Sequence, residues 1–395
     1  MLASSSLRGV LEFAVLPGRS LGEIALGEAM NSVLKYVQEK NAVAGVEFKY
    51  NDEEPLSTDM VIRLPKNGLV FRFEPASQRL KSIEIFQFNH IRLSYQGHDF
   101  SSAKIIPTFL LMYKLFGPTY PGTFDATLKE YTLKYPGVSM VFPIPDQHVP
   151  LYTKEDMPLE FPDGTTPVLS RLYLYHGADN WRQAVPPPLP VGHAGGSGLP
   201  AEKLSNFTLT PHRGVTLHFA NGDAVHVRIG TTDTQDLLTE LGEPDAVWRK
   251  REDKLRIHAP GNADHASAES DTDDNPVDYF FNYFRYGFDV LLDGRTHRCL
   301  KLVLHTNFPG HYDFDRYRKC QFSIQTDEDS AKGSITADSK WSDIERVFGP
   351  AQGRQVILNR GSHHADPFGA TAMRGYDGLI FEIMKNGHLA TLTIY

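Results

Sequence analysis

The segment "LHTNFPGHYDFDRYRKC", Leu304 to Cys320, gathers residues of the types that bind metals or move protons: His305, His311, Asp313, Asp315 and Cys320. A zinc centre needs His305, His311 and either Asp313 or Cys320 to converge with an open coordination position, and their spacing matches none of the recognised zinc arrangements. A turn at Pro309-Gly310 places His305 and His311 on opposite arms of a loop instead. A metal-dependent or lipid-acting hydrolase centred on His305, His311 and Asp313 is therefore the alternative reading, and the usual sequence flags do not support it. The chain has no Gly-x-Ser-x-Gly, and Ser197 of "GGSG" lies in a Pro/Gly-rich stretch where no strand-to-helix turn would expose it as a nucleophile. It has no GxxxxGK[ST] phosphate loop. Cys299 stands among alternating apolar residues and reads as a core thiol. These residue types point to no enzyme and call for no cofactor and no resident metal.

Contact chemistry is better represented. Aromatic side chains with arginine make the usual anchors of protein interfaces. Phe308, Pro309, His311, Tyr312, Phe314, Arg316 and Tyr317 supply that combination and form the candidate partner-binding surface. A second aromatic run, Tyr279 to Tyr286, alternates, so that about half of it faces one core. The basic run Arg249, Lys250, Arg251, Lys254 and Arg256 is the candidate contact for acidic lipid headgroups, partly balanced by Glu252 and Asp253.

The chain as a whole sets limits on these readings. Its 395 residues carry a formal charge of -8, which argues against nucleic acid as the partner. Only two cysteines occur, without a CxxC pattern, as expected of a reducing, cytoplasmic setting. Arg8 and Glu12 interrupt the apolar N-terminal stretch, so a short tail leading into a strand is expected there rather than a signal peptide.

The elements that position these side chains repeat. Four segments share one plan, an amphipathic helix followed by an antiparallel meander whose strands open near a glycine. The helices are marked by Leu26, Ala29, Met30, Val33, Leu34 and Val37, by Phe109, Met112, Tyr113 and Phe116, by "TTDTQDLLTELGEP" and by "DSKWSDIERVFGP". Gly242 and Gly349 suit helix ends, and Thr232 with Gln235 suits a capping box. Period-two strands follow Gly68, Gly137, Gly287 and Gly378. The predicted fold is α+β, about four helix-plus-meander units in two halves, shaped like the small helix-on-sheet unit of β-lactamase inhibitory proteins. The halves are 11–183 and 204–395, joined by a Pro/Gly-rich linker at 184–203, with an acidic insertion expected to be disordered at 259–276.

Several stretches resemble the phagosome assembly factor 1 family: "DYFFNYFRYGFDVLLD" (Asp278 to Asp293), "LVLHTNFPGHYDFDRYRKCQF" (Leu302 to Phe322), "SKWSDI", "DPFG" and the closing "IFEIMKNGHLATLTIY". "PGRSLG", "EPLS" and "QRLKSIEI" extend the resemblance into the first half. The resemblance implies a non-enzymatic adaptor in autophagy that pairs with a β-propeller protein of the breast carcinoma amplified sequence 3 type. It further implies a cytoplasmic protein recruited to phosphoinositide-bearing phagophore (preautophagosomal) membrane, the lipid contact being indirect or weakly direct. It assigns no catalytic residues. The chain departs from the family pattern in the residues after Met1-Leu2, in the insertions near Gly192 to Gly198 and Asp264 to Asp274, and between Val149 and Val215.

Overall fold

The computed structural model describes residues 10–40, 43, 45–119, 122–153, 160–191, 200–250, 277–324, 334–359 and 369–395. The acidic insertion 259–276 and residues 192–199 of the linker lie outside the described residues, as do Arg251, Lys254 and Arg256. The chain forms two compact units, residues 1–188 and 189–395.

In the first unit, helix α1 (Met30–Glu39) buries Met30, Val33, Leu34 and Val37, the i, i+3, i+4, i+7 stripe of a one-faced helix. Helix α2 (Phe109–Phe116) starts where Thr108 Oγ1 accepts the Leu111 N–H and stops at Gly117, φ +82°. Each helix precedes a four-stranded antiparallel meander. The first comprises Glu47–Lys49, Met60–Leu64, Leu69–Phe73 and Leu80–Ile85; the second Thr123–Asp125, Glu130–Tyr135, Val138–Pro143 and Arg171–Tyr175. The last strands of the two meanders pair antiparallel, Ile83 opposite Leu174, and fuse them into one eight-stranded sheet. Phe109 of α2 packs edge-on against Phe142 and Tyr131 of that sheet.

The second unit repeats the plan. Helices α3 (Thr234–Leu241) and α4 (Trp341–Phe348) precede two meanders. The third meander is Ala246–Arg249, Tyr279–Tyr283, Phe288–Leu292 and Cys299–His305; the fourth is Gln352–Leu358, Thr371–Tyr376, Leu379–Ile383 and Leu389–Ile394. They fuse through Leu304 opposite Leu392. Leu237, Leu241 and Ile344 from the helices join Phe288, Leu302, Phe381 and Leu392 of the sheet in one core.

The α+β class in two halves agrees with the sequence expectation, and two details go beyond it. Each unit also contains a five-stranded sheet with one parallel pair, Leu11–Leu16 beside Ile91–Tyr95 in the first and Leu204–Thr210 beside Phe322–Ile324 in the second. The capping box of α3 is Asp233 with Asp236, not Thr232 with Gln235, because the Thr232 hydroxyl already accepts the Arg228 N–H at 2.9 Å.

The four glycines have one shared purpose. Gly68, Gly137, Gly287 and Gly378 all lie at positive φ, between +71° and +90°. The carbonyl of each accepts the N–H just beyond or at the end of its meander, from Phe86, Tyr175, His305 and Tyr395 respectively. The third strand of every meander thus starts on a backbone conformation that only glycine adopts without strain.

Cys299 and Cys320 are buried and free. Burial pushes the Cys299 thiol from its ordinary 9.0 up to about 12, and raises Cys320 well above that range. Neither thiol should react with a water-soluble disulfide reagent at neutral pH, and both should become reactive together in the denaturant range where the second unit unfolds. An acid raised on folding contributes stability below its unfolded pKa, so stability should fall as pH rises above about 9. Labelling of a folded sample at a rate equal to a free thiol would contradict this.

Candidate functional site

The third meander ends at His305, and the chain does not turn straight into the next sheet. Residues 306–319 instead lie across the face of the eight-stranded sheet that α3 and α4 leave open, and reach the Phe322–Ile324 strand. Thr306 Oγ1 donates to the carbonyls of Leu389 and Ala390, and the Asp315 N–H donates to Asn307 Oδ1 at 2.9 Å. Phe308 is fully buried, its ring beneath the Lys319 ammonium, which itself pairs with Asp338.

Two buried carboxylates on the sheet hold this segment down. Asp289 lies 2.9 Å from His305 Nε2 and accepts the Tyr317 hydroxyl at 2.9 Å and the Asn282 amide at 2.8 Å. The His305 ring stacks flat on Tyr317, centroids 3.6 Å apart. Glu382 accepts the hydroxyls of Thr371 at 2.6 Å and Thr391 at 2.9 Å, and lies 3.3 Å from His311 Nε2. Asp313 is buried 3.8 Å from His305 Nδ1 and the same distance from Arg316.

Of the residues of the hydrolase reading, this arrangement leaves Asp313 beside His305 and parts the two histidines. His305 and His311 each turn to a different carboxylate, and among the described residues no three His, Cys, Asp or Glu side chains are grouped to hold a metal ion. Tyr317, whose hydroxyl bonds to Asp289 of the His305–Asp289 pair, is a poor nucleophile. Burial first, and then the Asp289 charge, raise its pKa and keep it a hydrogen-bond donor. What the cluster does chemically is satisfy buried polar groups and fix a loop.

The candidate partner surface divides accordingly. Phe308, Pro309, His311 and Tyr317 are buried; Tyr312 is 46% exposed, Arg316 is exposed and Phe314 half-buried. Arg316 lies over the Phe284 ring, 5.1 Å from its centroid, so Tyr312, Phe314 and Arg316 are left facing outward. Of the basic run, Arg249 is exposed at the end of its strand and Lys250 lies 3.9 Å from Asp278.

Asp289 and Glu382 escaped the sequence reading. Both stand alone among apolar residues in strands, "FDVLL" and "LIFEI", and that pattern is the available signal: a carboxylate inside a buried strand requires partners.

A family model described as Phagosome assembly factor 1 matches residues 20–395. The chain is 37% identical over 408 residues to a PHAF1 protein of Arabidopsis thaliana, covering 98% of this chain and 93% of the relative. A PHAF1 protein of Drosophila melanogaster is 34% identical over 430 residues, with 98% and 94% covered. One of Caenorhabditis elegans is 29% identical over 410 residues, with 97% and 94% covered. No solved structure matches the chain significantly.

Proposed function

The chain belongs to the phagosome assembly factor 1 family, an autophagy-related assembly factor family, and from that premise we propose that it acts as a non-enzymatic adaptor. In this proposal it pairs with a β-propeller protein and travels with it from the cytoplasm to phosphoinositide-bearing phagophore membrane. The observation that carries the reading is the family match over residues 20–395. The site geometry supports it, because the polar groups that suggested catalysis are engaged in holding the loop that presents Tyr312 and Arg316. Tyrosine and arginine side by side on a fixed loop supply contact area at low entropic cost.

The double variant Tyr312→Ala, Arg316→Glu should lower capture of the propeller partner from starved cells by about tenfold or more. Its melting temperature should fall by only a few degrees, since both side chains are exposed and Arg316 gives up one surface ion pair with Asp313 and its contact with Phe284. Undiminished capture would remove this surface from the proposal. Absence of any propeller protein in the parent pull-down, with normal autophagic flux in a deletion strain, would remove the adaptor reading itself.

A further inference from the structure

In the second unit the sheet face away from the helices is covered by the chain's own residues 306–319; in the first unit the cover among the described residues is smaller, Ala178, Trp181 and Ala184 packing on Val141, Tyr173 and Tyr175. The equivalence is fixed by the glycine carbonyls: Gly68 accepts from Phe86 where Gly287 accepts from His305. After Phe86 the chain takes only Gln87, Phe88, Asn89 and His90 to reach its parallel strand at Ile91. Two grooves occupy the rest of that face, of about 590 and 630 Å³. One runs from the outer strand of the second meander at Thr123 and Asp125, the other from the outer strand of the first at Lys49, and they meet at Glu130 and Arg171. Together they cross all eight strands, about 34 Å at the usual strand spacing.

The chemistry of this face opposes that of the chain. Lys49, Arg63, Arg72, Lys134, Arg171 and Arg182 line it against Asp125, Glu84 and Glu130, whereas the whole protein carries -8. The carboxylates at the centre are spoken for: Glu84 pairs with Arg72 at 2.6 Å, and Glu130 with Arg171 at 3.2 Å. Lys49 and Arg63 on one side, Lys134 on the other and Arg182 beside Trp181 have no carboxylate within ion-pair distance among the described residues. Arg72 Nη1 is buried in the floor without a hydrogen-bond partner. Trp181 lies flat on Tyr173, centroids 4.6 Å apart, and offers an aromatic platform on the groove wall.

We propose that the grooved sheet face of the first unit, beside Trp181, binds an acidic, extended polypeptide segment of a partner protein. The length suits a strand-like peptide of about ten residues at about 3.3 Å each. Separated cationic ends attract acidic side chains, while the paired centre and aromatic wall accept the apolar ones. A single phosphate or headgroup would fill one end and leave the other cations unused. Nucleic acid would bring its phosphates onto Glu84, Glu130 and Asp125.

The test uses the full chain and a fluorescently labelled peptide of about ten residues alternating glutamate and valine, a composition that favours extended backbone. Binding should be saturable, weaken with added salt and change the Trp181 contribution to fluorescence. Lys49→Glu with Arg63→Glu, or Lys134→Glu with Arg182→Glu, should each weaken it about tenfold, and the four together should abolish it. Circular dichroism and melting should match the parent. The proposal is overturned by absence of binding, by equal binding of the lysine–valine peptide, or by full retention in the fourfold variant. Preferential binding of anionic vesicles, lost in the same variants while the peptide is ignored, would assign the face to membrane instead. None of these results bears on the Tyr312 and Arg316 surface, so the adaptor proposal stands or falls separately.

Discussion

Gly287→Ala should cost the second unit about 3 kcal/mol or more, a drop of roughly 6–12 °C in melting temperature for a unit of this size. Two effects add. Gly287 sits at φ +90°, where an L side chain costs about 1–2 kcal/mol. The new methyl would also fall on the carbonyl oxygen of Arg318 and against Cys320, backbone atoms that cannot swing aside as a flexible side chain can. The internal control is Gly387→Ala, at φ +80° with nothing within 4 Å of the added carbon. It should lose only the conformational part, about 1 kcal/mol. Equal losses in urea denaturation would show that close packing of the 306–319 segment on the sheet contributes nothing.

Asp289→Ala should be comparably damaging, about 3–5 kcal/mol, because it strands two buried partners and a half-buried one at once. His305, Tyr317 and Asn282 all bond to this carboxylate, and Asp289 is 6% exposed, so water does not replace it freely. Tyr317→Phe removes one donor and leaves Asp289 with two partners, for a loss of about 1 kcal/mol. The ratio between the two variants is the informative measurement. A loss below about 1 kcal/mol for Asp289→Ala would mean that the 306–319 segment is held by Phe308 and Thr306 alone.

The local features of this fold were legible in the sequence, and the long-range ones were not. Met30, Val33, Leu34 and Val37 declare α1 by their spacing, and Gly242 and Gly349 end α3 and α4 because the positive φ they adopt is set by neighbouring residues. The same holds for the glycines that open the third strands. By contrast, the pairing of Leu11–Leu16 with Ile91–Tyr95 joins segments about eighty residues apart, and nothing in either strand names the other. The candidate site shows the same division. His305, His311 and Asp313 drew notice as a cluster, but the histidines' partners Asp289 and Glu382 lie 16 and 71 residues away. Proximity in sequence made the histidines look like a shared centre; distance in sequence hid the carboxylates that separate them.

The strand Leu389–Ile394 lies not at the rim of its sheet but in the middle, between Cys299–His305 and Leu379–Ile383. During synthesis the third meander must therefore wait with its inner edge, and the apolar Leu302 and Leu304, unpartnered until residue 394 has left the ribosome. In the first unit the equivalent wait ends at Tyr175, while translation is still in progress. The two halves, alike in plan, thus face the same hazard at birth in turn: each exposes an inner sheet edge to chaperones or to its neighbours until a distant strand, Arg171–Tyr175 in the first unit and Leu389–Ile394 in the second, has emerged to cover it.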